Sequence, residues 1–289
     1  MRHGTGDTEG TMMVNVETPR QARPLRFGVV APVVTEPAAW KSQVRRIADS
    51  GYSTILRPDV PQWQPAPGPT LAVAATLAPD LRVGTWVYAS PLRAPWNLAW
   101  EAHSLSVLTE GRFEMGIGTG RPGIEDELRR LSLPVTTPTE RLSRLRDAIS
   151  GLRDLDGPDI HTPVVMAAAG PKARGLAAEL ADTVNLAALP GDSRAEIARM
   201  AADIHAIRDV ELALHVPVVG NTVAPFMTPP DTDPAALHAA DSLSALPGDP
   251  KAAIEEVLRR REECGYSYFV IGANAANDLA PVVAELAGH

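Results

Sequence analysis

The chain has 289 residues, 45 % hydrophobic and 21 % charged, enough to bury the core of one large α/β domain or two small ones. Its formal net charge of -8 argues against nucleic-acid or anionic-membrane partners, since both need a positive surface. One cysteine, Cys264, excludes an intrachain disulfide and fits a reducing cytoplasm, and no apolar run is long enough to span a bilayer.

Residues 1–24 are polar and lack the apolar core of a secretory signal, so they are expected to be a mobile extension or a mis-called start, outside the fold. LRFGVVA (25–31) reads as the first strand. A helix opens at Pro37, carries Trp40, Val44 and Ile47 at helical spacing, and stops at Gly51. STILRPD (53–59) is the second strand, followed by a short helix over Thr70–Leu77. LRVGTWVYAS (81–90) is the third, and Pro95 opens a helix running to about Thr109. RFEMGIG (112–118) is the fourth strand, followed by a loop to residue 136.

Thr137-Pro138-Thr139-Glu140 spells a capping box with Pro at the first helical position. PVVMAAA (163–169) and TVNLAAL (183–189) are strands five and six, with helices from Gly170-Pro171 and from Asp192. ELALHVPVVGNTV (211–223) is strand seven, followed by a Pro-rich loop over 224–248. Asp249-Pro250 starts a helix that ends at Cys264-Gly265. YFVIGA (268–273) is strand eight, with a final helix from about Asn277. Eight strand–helix pairs predict an α/β fold of the (β/α)8 TIM-barrel type, with both long loops at the C-terminal rim, where such barrels place active sites.

GTGRPG (118–123) has the G-x-G-x-x-G spacing of a dinucleotide-binding turn. A Rossmann turn needs the first strand and a helix opening directly on the glycines. Here the strand is the fourth and the next helix start is expected only at Thr137, so the dehydrogenase reading fails on context. Within that strand Phe113, Met115 and Ile117 alternate with Glu114, Gly116 and Gly118, which puts the second set inside the barrel. The glycines then either leave a hollow for a flat ring or make a tight turn. Glu114, facing inward, needs a partner, and Arg26 on strand one is a candidate.

EGRFEMGIGTGRPG (110–123), LRVGTWVYASPLRAP (81–95) and GPKARGLAAELADTVNL (170–186), in this order and spacing, resemble the luciferase-like monooxygenase superfamily over residues 25 to about 285. That family implies a barrel binding flavin mononucleotide (FMN) or coenzyme F420 at its C-terminal rim. The resemblance implies a non-prolyl cis peptide at Trp86–Val87 under the ring, with Asp59, Ala89, Thr119 and Gly120 lining the cofactor. Ala169, Gly170, Lys172 and Ala173 fall at a strand-to-helix junction suited to the cofactor phosphate. Trp63 lies in a rim loop, either as core or as a cover for the cofactor.

Two positions depart from relatives. Val60 stands where many have a histidine, and Arg121 where some sugar-phosphate dehydrogenases have a glutamate. Sugar-phosphate oxidation is therefore disfavoured, and no catalytic acid or base is assigned. Arg121 is a candidate for a phosphate or an anionic substrate, or a solvated loop charge. His103 reads as helix surface or interface, His215 as a strand residue able to face the interior, and Cys264 as packed core. No metal-ligand spacing such as H-E-x-x-H occurs. The implied function is a flavin- or F420-dependent oxidoreductase or monooxygenase acting on a small organic substrate, working as a homodimer. The alternative is a non-catalytic flavin-binding barrel for storage or sensing.

Overall fold

A computed structural model describes residues 23–32, 36–61, 64–187 and 191–289. Trp63, residues 1–22 and the end of the strand predicted over 183–189 lie outside the described residues. In chain order the elements begin with β1 (Arg26–Val30), α1 (Pro37–Asp49), β2 (Thr54–Arg57) and α2 (Pro67–Leu77). Then come β3 (Arg82–Thr85), β4 (Tyr88–Ala89), α3 (Pro95–Leu108) and β5 (Phe113–Gly118). These lead to α4 (Ile124–Arg130), α5 (Pro138–Asp156), β6 (Val164–Ala168), α6 (Pro171–Leu180), β7 (Thr183–Leu186), α7 (Arg194–Ile207) and β8 (Glu211–Val216). The last are β9 (Val218–Val219), β10 (Thr222–Val223), α8 (Pro234–Ala239), β11 (Ala245–Leu246), α9 (Pro250–Cys264), β12 (Tyr266–Gly272) and α10 (Ala276–Leu286).

Strand pairing runs β3-β2-β1-β12-β8-β7-β6-β5-β4, and β3 also pairs with β5, so the sheet closes on itself. Every pairing in this sheet is parallel. β3 and β4 together form one stave, giving the eight-stranded (β/α)8 barrel that the alternation predicts.

Prolines open seven of the helices, α1, α2, α3, α5, α6, α8 and α9, where their missing N–H costs nothing and their fixed φ favours the first turn. The predicted capping box at Thr137 and Glu140 is present, and a second, at Ser193 and Glu196, starts α7 two residues after the Asp192 predicted. Gly265 ends α9 with φ 77°, the left-handed conformation that glycine adopts most easily.

The two long loops need correction. The segment 119–136 contains α4, which starts directly after Gly123. Of the two grounds against a dinucleotide turn, the missing helix therefore falls; the strand remains the fourth, and the sheet is closed. The segment 224–248 contains α8 and β11, and the predicted strand 211–223 divides. β8 ends at Val216, Pro217 offers no N–H, and β9 and β10 join β11 in a small separate sheet. Pro67 also starts α2 three residues ahead of the predicted Thr70, and β12 starts at Tyr266 rather than Tyr268.

The strand faces divide the core. Outward-facing Phe113, Met115, Ile117, Val184, Leu186, Leu212 and Leu214 join the large cluster beneath the helices. Inward-facing Val30, Leu56, Trp86, Val165, Ala213, Tyr268 and Val270 form a second cluster inside the barrel. Below it lies a charged layer. Arg26 Nη1 is 2.7 Å from Glu114 Oε1, and Arg26 Nη2 is 2.6 Å from Glu211 Oε2. Arg82 Nε reaches the same Glu114 oxygen at 2.6 Å, and the Arg26 guanidinium sits 3.5 Å from the Tyr268 ring centroid. Burial works to lower the Arg26 pKa, but Glu114, Tyr268 and Glu211 outweigh it and the net is a rise. The partner predicted for Glu114 is thus the one found.

Candidate functional site at the C-terminal rim

The third stave is irregular where it matters. Gly84 pairs with Glu114 and Tyr88 with Ile117, so β3–β4 carries one residue more than β5 over the same stretch, a β-bulge. Within it the Trp86–Val87 peptide is cis, at the bond implied by the resemblance. The bulge explains the neighbouring glycines. A Cβ on Gly116 would lie 1.9 Å from the Thr85 carbonyl oxygen, and one on Gly118 would lie 3.0 Å from Val87 Cγ2. Thr85 Oγ1 also donates to the Gly116 carbonyl at 2.7 Å. These two glycines therefore make room for the bulge rather than leaving a hollow. Gly120, with φ 92°, makes the turn into α4.

Trp86 enters the barrel and is 8 % exposed. Its Nε1 donates to His215 Nδ1 at 3.2 Å, and the two rings lie parallel with centroids 6.4 Å apart. His215 Nε2 is 2.8 Å from the Met227 carbonyl, so the proton sits on Nε2 and Nδ1 accepts. Burial lowers the His215 pKa, which keeps the ring neutral at pH 7. His215 thus joins the bulge to the segment after β10, whose Phe226 and Met227 pack on the inner cluster.

The candidates from sequence fall into distinct environments. Val87, Thr119, Gly120 and the run Ala169–Ala173 sit on three neighbouring staves, β4, β5 and β6, and form an arc at the C-terminal ends. Gly170 is the N-cap of α6, no side chain caps that helix, and a Cβ on Gly170 would meet nothing within 4 Å. The first-turn N–H groups of Lys172 and Ala173 lack a capping side chain, and the Lys172 side chain is exposed beside them.

Asp59 is buried, and both its oxygens are engaged by Arg93, at 2.9 Å from Nη2 and 3.1 Å from Nε. Arg93 also reaches Glu101, which accepts from the Tyr88 hydroxyl at 2.8 Å. Arg144 on α5 donates to the Arg93 carbonyl at 2.7 Å. Asp59 therefore anchors the segment after β4 from below. Ala89 packs with Ile124 and Leu128 of α4. Arg121 is neither free nor lone, since its Nη2 lies 2.5 Å from Oε2 of the buried Glu127. His103 bonds Asp156 at 2.8 Å between α3 and α5, and Cys264 is buried, both as expected.

One residue escaped the sequence reading. Asn185 on β7 faces inward, is 6 % exposed, and its amide oxygen has no hydrogen-bond partner among the described residues. The alternation Val184 out, Asn185 in, Leu186 out was readable in TVNL.

Two surface hollows lie elsewhere. One of 330 Å³ opens at the opposite end of the barrel, beside His205, Cys264 and Gly265. The other is a 470 Å³ groove between α2 and α3, bordered by Ala72, Leu105 and Leu108. Neither touches the arc. Among the described residues no cluster could hold a metal ion, and no helix is long and apolar enough to cross a membrane.

Residues 25–224 match the family model described as luciferase-like monooxygenase. An F420-dependent glucose-6-phosphate dehydrogenase of Beutenbergia cavernae is 31 % identical over 140 residues. That match spans 41 % of each chain, well under half of the relative's length. Among solved structures, the coenzyme F420 dependent tetrahydromethanopterin reductase of Methanopyrus kandleri superposes with a TM-score of 0.70 at 15 % identity, covering 91 % of this chain and 99 % of the other. The oxygenating constituent of 3,6-diketocamphane monooxygenase of Pseudomonas putida, solved with FMN, gives 0.66 at 12 % identity, covering 92 % and 98 %.

Proposed function

Since the chain belongs to the luciferase-like monooxygenase family, we propose that it is an oxidoreductase that binds FMN or coenzyme F420 at the C-terminal rim and acts on a small, largely apolar organic substrate. The observation that carries this reading is the arc itself: the bulge at Trp86–Val87 lies two staves from a helix start that no side chain caps. When bound, the cofactor supplies hydride transfer or, for a flavin, reaction with O2.

The chain's own residues position and shield. Trp86 and Val87 would back the ring, with Thr119 and Gly120 beside it. Gly170, Lys172 and Ala173 would hold the phosphate through main-chain N–H groups at the positive end of α6, and the Lys172 ammonium adds charge. Trp86, Phe226 and Met227 exclude water from the mouth. No side chain here is assigned a proton-transfer step. Val60 has no titratable group and Arg121 is committed to Glu127, so sugar phosphate is not the substrate we propose, despite the Beutenbergia relative. Nothing in the comparisons favours the non-catalytic alternative.

The test is titration of the purified protein with FMN and with F420, read by fluorescence quenching. Micromolar binding of either is expected, and binding of neither overturns the reading. Gly170→Asp sharpens it. An aspartate at an N-cap suits a helix and here enters open space, so the melting temperature should hold or rise. The same charge placed against a phosphate should weaken binding at least about tenfold. Unchanged affinity would remove the phosphate from α6.

The protein should also be a homodimer in the cytoplasm, the latter in keeping with its single buried cysteine. α2 carries no Asp, Glu, Lys or Arg, and α3 only Glu101, which is turned into the Arg93 network. Trp96, Trp100 and Leu108 of α3 are 66 %, 59 % and 76 % exposed, and the two tryptophans stack at 6.3 Å. An uncharged, aromatic face on a chain of net charge -8 is where a second copy can approach with least repulsion. Sedimentation velocity should show a dimer, and Trp100→Glu should convert it to monomer. A wild-type monomer at tens of micromolar refutes this.

A further inference from the structure

Among the described residues of the top inward-facing layer, the amide oxygen of Asn185 is buried without a hydrogen-bond partner. Gly118 of β5, Ala167 of β6 and Asn185 of β7 lie side by side in register, and Asn185 pairs with Ala213 of β8 on its other flank. None of these neighbours has a polar side chain. Thr183, two residues deeper on the same strand, is by contrast fully tied in, donating to Glu211 Oε2 at 2.6 Å. His215, the next inward residue on β8, spends both nitrogens on Trp86 and Met227. Tyr268 and Glu114 also keep an oxygen without a partner, but both belong to the charged layer around Arg26.

Asparagine is disfavoured in strands, and a buried amide without a partner destabilises a fold. A leucine of similar size, flanked by two alanines and a glycine, would suit the folded chain better. The amide is therefore explained by something that is not part of the chain. It is neutral, so it does not select an ion. It carries an acceptor and a donor side by side, the complement of a planar edge on which N–H and C=O alternate. The alanines on either side, Ala167 and Ala213, bring no polar group that would compete for it.

We propose that Asn185 is a cofactor-reading residue, its side-chain amide accepting the imide N–H on the pyrimidine edge of a flavin or deazaflavin ring seated in the barrel mouth. This rests on the oxidoreductase reading above, and goes beyond it in naming a ring contact from β7, a stave outside the arc. β7 stands three staves from the bulge, so Val87 and Asn185 would hold the ring from different sides of the mouth.

The experiment compares wild type with Asn185→Leu in the full-length protein. The first readout is the melting temperature. The second is the fluorescence-quenching Kd for whichever of FMN and F420 binds, and for the same compound methylated at the imide nitrogen. Asn185→Leu should melt at the same temperature or higher. Wild type should prefer the unmethylated compound by about tenfold, the worth of one buried hydrogen bond, and the variant should lose that preference. Equal Kd values for wild type and variant overturn the proposal, as does a lower melting temperature in the variant, which would make the amide structural. If wild type binds neither compound, the functional reading has failed, an outcome distinct from the two above.

Discussion

Gly116→Ala should destabilise the protein sharply, although it adds a single methyl group. The added carbon would lie 1.9 Å from the Thr85 carbonyl oxygen and 2.8 Å from its carbonyl carbon. Both are backbone atoms, so no side chain can swing aside to relieve the clash. β5 must separate from β3–β4, or the bulge must flatten and take Trp86 and Val87 with it. Overpacking of a core usually costs about 1–3 kcal/mol. With main chain on both sides, the expected cost is at or above the top of that range. Urea unfolding read by circular dichroism checks it, with Gly170→Ala, whose Cβ meets nothing within 4 Å, as the matched control. A Gly116→Ala midpoint within error of the control would mean that the bulge is not packed as described.

Arg26→Met should cost about 3–5 kcal/mol, the usual consequence of removing one member of a buried ionic cluster. Glu114 is 3 % exposed and Glu211 13 %, and both point at the Arg26 guanidinium. Arg82 still reaches Glu114, but among the described residues Glu211 keeps only hydroxyl partners, Thr183 at 2.6 Å and Ser267 at 3.4 Å. The loss comes from stranded carboxylates, not from the ion pairs' net worth. The triple variant Arg26→Met, Glu114→Leu, Glu211→Leu should therefore recover much of it. Denaturant midpoints for both variants decide the matter. A single variant as stable as wild type, or a triple variant worse than the single, would show that the cluster is held in some other way. Exposed pairs such as Arg129–Asp126 set the contrast, since their loss should move the midpoint very little.

The barrel could be read from the chain because its signals are local. Prolines open the helices, Thr137 and Glu140 cap one of them, and the strand at 112–118 alternates cleanly enough to pair Glu114 with Arg26 in advance. The elements missed are short or rest on distant partners. α4 is seven residues long and sits in a stretch that looks like a glycine loop. Its Glu125, Asp126 and Glu127 in the first turn and Arg129 and Arg130 in the last match a helix dipole and were the available clue. Asp233-Pro234 gave the same kind of hint for α8.

At the site, spacing alone left Gly116 and Gly118 undecided between a hollow and a tight turn. Whether a glycine leaves a hollow or admits a neighbouring strand depends on what lies opposite, here a bulge some 30 residues back in the chain. The pairing of Asp59 with Arg93, across 34 residues, has no local signature either. Arg121 and Glu127 meet only because a turn at Gly120 and Gly123 folds α4 back. The place of the cis bond came from the resemblance, since nothing in composition or period marks it.

The two ends of this barrel answer to different demands. The charged layer of Arg26, Glu114 and Glu211 ties strands β1, β5 and β8 together at the end remote from the mouth. At the mouth the inward positions Gly118, Ala167 and Asn185 carry no ion pair, and the chain spends little of its cohesion there. New substrate ranges can thus be explored by exchanging residues at one end while the other keeps the chain folded. A laboratory wishing to redirect the chemistry would diversify Phe226 and Met227 at the mouth and leave the Arg26 layer untouched.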